Sequence, residues 1–253
     1  MKVVFLGTGT SQGIPVIGCK CEVCSSVDYQ DKRLRASIYI EYEGLNIVVD
    51  TGPDFRQQML RERINKLDAV LFTHAHKDHT AGLDDIRSFN FLQKKDMPLF
   101  ARKEVQEQLK REFSYIFTES NYPGIPRVEL NTLDGSPFKV SEQTIIPIEV
   151  MHYKLPVYGF RFGDFTYITD ANHISEEEKE KIKGSKVIVL NALQKKSHIS
   201  HFNLDEALAL MEELKPEKGY LTHLGHYMGR HIEVSKELPD NVEIAWDGLQ
   251  LVI

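Results

Sequence analysis

Residues 74–79, His-Ala-His-Lys-Asp-His, put three imidazoles and a carboxylate within six consecutive positions. Imidazole nitrogen and carboxylate oxygen together suit zinc, manganese or iron. The β-favouring apolar run 67–72 precedes the cluster, and Thr80-Ala81-Gly82-Leu83 reads as the start of a helix. The cluster therefore falls on a strand-to-helix loop, where side chains can converge on one point. A polar turn that is merely rich in histidine is the plain alternative, and the density of ligand types argues against it.

A second group has different chemistry. The chain's three cysteines are Cys19, Cys21 and Cys24. An odd number packed this tightly makes a poor disulfide framework. In a reducing compartment it suits a soft metal. A structural zinc needs four ligands, so the fourth must come from elsewhere in the chain.

The elements that position these residues alternate between strands and helices. Val3-Val4-Phe5-Leu6 predicts a first strand, followed by the turn Gly7-Thr8-Gly9-Thr10-Ser11-Gln12-Gly13. The third glycine falls one position late for a dinucleotide fingerprint, and no helical run follows it. Residues 37–41 and 45–49 predict a hairpin about Tyr42-Glu43-Gly44, ending at Asp50-Thr51-Gly52. Helical spacing covers 55–64, 82–92 and 103–117, with a short strand at 98–100. Residues 121–126 read as a loop. Strands are expected at 127–130 and 144–150, and a hairpin at 158–162 and 165–169. Ser175 opens a helix with Glu178 as capping-box partner. A strand at 186–190, a helix at 204–214 and strands at 219–221, 242–245 and 249–253 complete the chain. No linker or repeat interrupts it, so residues 1–253 read as one domain. The pattern fits two mixed sheets packed together with helices outside.

His152, Asp170 and His223 then share a position. Each is a metal-ligand type at or just past the carboxyl end of a predicted strand, as His74 is. Residues so placed can meet at one edge of a sheet pair, and with the loop cluster they make two metal sites.

In order, His74, His76, Asp78, His79, His152, Asp170 and His223 follow the pattern H-x-H-x-D-H, His, Asp, His. In this the chain resembles the metallo-β-lactamase superfamily, from the Gly7-Thr8-Gly9 turn to Asp247-Gly248. The resemblance implies an α/β fold, the four-layer αβ/βα sandwich, with a dinuclear site at its edge. It implies that His74, His76 and His152 hold one ion, that Asp78, His79 and His223 hold the other, and that Asp170 bridges. Gly18-Cys19-Lys20-Cys21-Glu22-Val23-Cys24 and Thr222-His223-Leu224-Gly225-His226 look like the PhnP-type cyclic phosphodiesterases. That likeness implies one structural zinc on Cys19, Cys21, Cys24 and His226. It also implies a proton donor or phosphate contact at His201, in His201-Phe202-Asn203-Leu204.

Two divalent ions roughly 3.5–4 Å apart share a hydroxide that attacks an electrophilic centre. For a phosphodiester, His201 is then the candidate general acid, and Asp78 both a ligand and an orienting carboxylate. The expected cofactors are two active-site ions, zinc or manganese, and the structural zinc. The expected substrate is a small cyclic or nucleotide phosphodiester such as 5-phosphoribosyl 1,2-cyclic phosphate. Rival readings are a tRNA 3′-processing endonuclease, which usually carries a basic Gly/Pro-rich arm not found in this sequence, and a glyoxalase II-like thioesterase, which has a helical extension after its last histidine. An exported β-lactamase normally has Cys where Asp170 stands. A binding protein with a vestigial site would not keep every ligand.

His173, His198 and His231 lie outside the ligand pattern. His173 and His231 read as surface residues, and His198 is near enough to His201 in sequence to reach the pocket. Arg33, Arg35, Lys195, Lys196 and Arg230 read as solvated charge with some capacity for a substrate phosphate. The net charge of −6 and pI of about 5.9 argue against a broad nucleic-acid surface. A small anionic substrate is still allowed, because a bound metal dominates its local field. The N-terminus is broken by Gly7 too early for a signal peptide, and no apolar run is long enough to span a membrane. The expectation is a cytoplasmic protein, with a homodimer suggested by the resemblance.

Overall fold

Alternation along the strands sorts the apolar residues into three slabs. Val3 and Phe5 point into the slab between two sheets, whereas Val4 and Leu6 point under helices. Val187 and Val189 likewise face the inter-sheet slab, and Ile188 and Leu190 the opposite one. A strand buried on both faces needs such a continuous apolar run, since successive side chains point to opposite faces.

The computed structural model describes residues 1–118, 122 and 124–253; part of the loop expected at 121–126 lies outside the described residues. The first sheet contains β1 (Lys2–Gly7), β2 (Ser37–Tyr42), β3 (Leu45–Val49), β4 (Ala69–Leu71), β5 (Met97–Arg102) and β6 (Val128–Leu133). The second contains β7 (Phe138–Val140), β8 (Gln143–His152), β9 (Leu155–Phe162), β10 (Phe165–Tyr167), β11 (Val187–Asn191), β12 (Lys218–Thr222) and β13 (Val242–Ile244). β14 (Gln250–Val252) returns to the first sheet beside β1. The orders are β14-β1-β2-β3-β4-β5-β6 and β13-β12-β11-β10-β9-β8-β7. Both sheets are mixed. β3 to β6 run parallel, as do β10 to β13, while β1-β2-β3 and β8-β9-β10 are antiparallel.

Phe55, Phe89, Val105 and Leu109 cover the first sheet from helices Phe55–Arg61, Arg87–Gln93 and Lys103–Glu112. Ile182, Ala207, Leu210 and Leu214 cover the second from Glu176–Ile182 and Leu204–Leu214. The result is the four-layer αβ/βα sandwich. The parallel strands of both sheets end at a common edge, where Tyr158 N–H donates to the Thr73 carbonyl across the sheets (3.1 Å). Ligand sites gather at such carboxyl ends.

Several local expectations change. The helix expected over 103–117 breaks at Phe113, which leaves helical geometry (φ −116°, ψ 43°). β8 pairs with β9 through a turn at Tyr153-Lys154, so His152 closes a strand instead of following one. Pro147 and Pro156 obscured this hairpin, because proline demotes a run as a strand. Glu178 does not complete the box with Ser175; its carboxylate accepts the Glu149 N–H (2.8 Å). The completed capping box is Asn203 with Glu206.

Arg33 and His231 are buried, not solvated. The Arg33 guanidinium donates to Thr8 Oγ1 (2.7 Å) and the Ala245 carbonyl (2.6 Å), and lies 3.3 Å from His231 Nδ1. Asp31, also buried, accepts the His231 N–H (2.7 Å). Burial draws the Arg33 pKa down to about 10, so it stays charged at neutral pH. Arg35 is half-buried and pairs with Asp54 (3.2 Å). Arg33→Ala strips partners from buried acceptors and is expected to cost about 3 kcal/mol, against about 1 kcal/mol or less for Arg35→Ala. Urea unfolding of the two variants measures both, and equal losses would contradict the burial argument.

Candidate metal centre

Three residues at strand ends share an unusual backbone. Asp50 after β3, Asp170 after β10 and His223 after β12 have φ of +66°, +52° and +55°. The left-handed region is uncommon for residues other than glycine, and persists where the surroundings over-determine it. Here it turns each side chain from the sheet edge toward one point. β4 delivers Thr73 and His74 to that point. His76 then caps the short helix Lys77–Thr80, which carries Asp78 and His79. The loop packs so tightly on Gly52 that a Cβ there would sit 2.2 Å from the Asp78 carbonyl oxygen.

Asp50, fully buried, holds this loop. Its carboxylate accepts Thr73 N–H (2.9 Å) and Thr73 Oγ1–H (2.8 Å) and lies 2.6 Å from His79 Nδ1. With Nδ1 facing Asp50, the Nε2 edge of His79 points into the site. His152 is oriented the same way, with Nδ1 2.8 Å from the Ser200 carbonyl. The sequence reading missed Asp50 as a site residue. The signal was there: Asp50 ends a strand just as Asp170 does.

Asp170 stands at the centre. Its Oδ1 lies 3.0 Å from His223 Nε2 and 3.4 Å from His79 Nε2, and its Oδ2 3.8 Å from His74 Nε2. Asp78 Oδ2 is 3.2 Å from His79 Nε2 and 3.7 Å from His223 Nε2. Ligands about 2.0–2.2 Å from a tetrahedral zinc are separated by roughly these distances. Among the described residues the buried Nε2 atoms of His74, His79 and His223 have no well-aligned hydrogen-bond partner. Buried polar atoms are normally satisfied, so this donor set fits a cation. Asp78, His79, Asp170 and His223 form one group of converging ligand atoms; His74, His76 and Asp170 form a second. His152 meets Asp170 and His201 in a third triad, with its ring 5.2 Å from that of His76.

The charges are strongly coupled. Burial opposes charge on His79, but Asp170, Asp50 and Asp78 outweigh it and push the imidazole well above its usual range. His223 is likewise raised to about 9 against burial, chiefly by Asp170. Asp170 itself is held well below the usual carboxylate range by His223 and His79, despite burial. Burial, His79 and His76 hold His74 well below its usual value. His201, stacked on His223 at 4.9 Å and 4.5 Å from His152, is lowered to about 3 by burial and then by His223. His198 is exposed, yet its ring comes within 5.3 Å of His201. His173 is exposed. Lys195 pairs with Glu237, and Arg230 lies 3.9 Å from Glu233.

The cysteines gather about His226, whose Nδ1 lies 3.3, 3.4 and 3.5 Å from the Sγ atoms of Cys19, Cys21 and Cys24. These spacings suit a closed tetrahedral site. The Cys24 N–H draws the Cys21 thiol down to about 6, while burial pushes Cys24 up to about 11. His223 and His226 lie on one loop, so the two sites share a frame. On that loop the Leu224 N–H donates to the Thr8 carbonyl (2.9 Å) and the Leu224 carbonyl accepts the Thr10 N–H (3.0 Å), both on the glycine turn after β1. Asp247 does not reach the ligands; it accepts Thr8 N–H, Thr8 Oγ1–H and Leu34 N–H, and so ties down the glycine turn.

Asp50→Ala removes the partner that orients His79. Metal affinity, measured by chelator competition, is expected to fall about 10- to 100-fold; unchanged affinity would deny Asp50 that role.

The family described as the beta-lactamase superfamily domain matches residues 45–224. An octanoyltransferase of Porphyromonas gingivalis is 36% identical over the whole chain. The chain spans about half (52%) of that relative's length. The crystal structure of a diphosphatase from the PhnP family superposes with a TM-score of 0.93 and 38% identity, covering 100% of this chain and 97% of that one. Zn²⁺-bound PqqB from Methylobacterium extorquens shares the fold, with a TM-score of 0.81 and 17% identity over the whole of both chains. With its strand-end histidines and aspartates and its layered sheets, the chain belongs to the metallo-β-lactamase superfamily and resembles the PhnP branch.

Proposed function

We propose that this protein is a dinuclear metal-dependent phosphodiesterase acting on a small cyclic or nucleotide phosphodiester. The observation that carries the reading is Asp170, whose two carboxylate oxygens face two different sets of histidines. In this reading Asp78, His79, His223 and Asp170 hold one ion. His74, His76, His152 and Asp170 hold the other. Cys19, Cys21, Cys24 and His226 hold a structural zinc, and these thiols suit a reducing cytoplasm. The nitrogen and oxygen ligands accept zinc or manganese. When bound, such a pair supplies an activated water and stabilises charge on phosphoryl oxygens.

The chain's own residues do the rest. Asp50 and the Ser200 carbonyl fix the orientation of His79 and His152, so no reorganisation is needed when substrate arrives. His201 lines the same space, and its buried Nδ1 has no hydrogen-bond partner among the described residues. Burial, and then the neighbouring His223, disfavour its protonated form. An anionic phosphodiester beside it favours its protonated form, and that proton can pass to the leaving oxygen. The likeness to a PhnP-family diphosphatase supports phosphoryl chemistry. The octanoyltransferase name belongs to a relative twice as long, so octanoyl thioesters serve as the competing substrate.

The test is hydrolysis by metal-loaded protein of 5-phosphoribosyl 1,2-cyclic phosphate, 2′,3′-cyclic nucleotides, bis-p-nitrophenyl phosphate, pre-tRNA and octanoyl thioester. Turnover of the small diesters is expected; turnover confined to pre-tRNA or thioester overturns the reading. His201→Ala is expected to lower kcat about 10²- to 10⁴-fold at unchanged metal content, and unaltered kcat would remove its catalytic role. Cys21→Ser is expected to release one metal per chain and lower the Tm. A full metal complement in that variant would rule out the cysteine site.

A further inference from the structure

A groove of about 550 Å³ opens beside the metal centre, within the range of small-molecule sites, roughly 300–1,000 Å³. His76 and His152 line it on the metal side, and Tyr153, Lys154, Leu155, Ile199 and Ser200 form the rest of its wall. Tyr153, Leu155 and Ile199 are 51%, 39% and 66% exposed. Three large apolar side chains left in water next to a polar centre call for an occupant.

The wall is built, not incidental. Tyr153 stands in the β8–β9 turn with φ +56°, a conformation that a bulky residue rarely adopts. Its N–H donates to Asn172 Oδ1 (2.8 Å), and Asn172 Nδ2 donates to the Ile199 carbonyl (3.1 Å). One side chain thus ties together the two segments that form opposite parts of the groove. The segment carrying Ile199 is also fixed to the metal side, through the Ser200 carbonyl and His152 Nδ1. Lys154 Nζ lies 5.3 Å from the Tyr153 ring centroid. Among the described residues no carboxylate comes within ion-pair distance of Lys154.

We infer that this groove receives a nucleobase, the planar arm of the phosphodiester cleaved at the metal centre. The inference rests on the phosphodiesterase reading for its reaction, and on the groove alone for its ligand. The Tyr153 ring, Leu155 and Ile199 offer flat and branched apolar surface to a base. Lys154 offers a cation to the phosphate joined to it. A bare sugar phosphate leaves the apolar wall in water, and an acyl chain leaves Lys154 without a counter-charge. Base–aromatic stacking is tolerant of sequence, so the groove selects for the presence of a base more than for its identity.

The test is calorimetric binding of AMP and of ribose 5-phosphate to the metal-loaded protein. AMP is expected to bind roughly tenfold more tightly or better, the size of one base–aromatic stack. Tyr153→Ala and Ile199→Ser are expected to bring the ratio toward one, and Tyr153→Phe to keep it. Equal affinity in the wild type, or a preference that survives both disruptive variants, overturns the inference. Turnover of bis-p-nitrophenyl phosphate by the same preparation reports on the reaction separately. A protein that prefers AMP yet leaves every diester intact supports the groove and removes the phosphodiesterase reading.

Discussion

The burial of Asp170 among histidines from both sheets is the constraint on which this structure turns. A carboxylate taken out of water is very unfavourable unless it is paired. Asp170 meets His223 and His79 through one oxygen and His74 through the other. His74 and His79 follow β4 of the first sheet and His223 follows β12 of the second, so their convergence requires both sheets to be in place. The left-handed backbones of Asp170 and His223 are part of the same arrangement. Such strain persists because packing on all sides leaves no relaxed alternative.

Support spreads outward from that point. Asp50 fixes His79 and Thr73 from behind. The loop after β12 carries His223 into the centre and His226 to the cysteines, so one loop joins the two clusters. The glycine turn after β1 is clasped by Leu224, Asp247 and Arg33. The chain's first and last strands, β1 and β14, pair at the edge of the first sheet. An edge site of this kind is exact in its first ligands because segments distant in sequence hold it from several directions.

Much of this was legible in the residues. The converging side chains could be read because metal chemistry admits few residue types, and their spacing on a loop and at strand ends is distinctive. The layers could be read because Val3-Val4-Phe5-Leu6 and residues 187–190 are apolar on both faces, which only a doubly covered strand tolerates. What escaped depended on tertiary partners. Asp50 reads as a turn residue until His79 stands beside it. Arg33 and His231 read as solvent-facing until Thr8, Asp31 and the Ala245 carbonyl stand beside them. The β8–β9 hairpin was hidden by Pro147 and Pro156. With it went the Tyr153-Lys154 turn, the feature that gives the site its apolar wall. Local propensity carries no record of such long-range contacts.

Anomalous diffraction from crystals of the metal-loaded protein tests the central claim most directly, with data collected at the zinc and manganese edges. The account predicts two separate peaks in contact with Asp170, and a zinc peak among Cys19, Cys21, Cys24 and His226. A single peak beside Asp170, or Asp170 turned away from the metals, would contradict the two-ion centre.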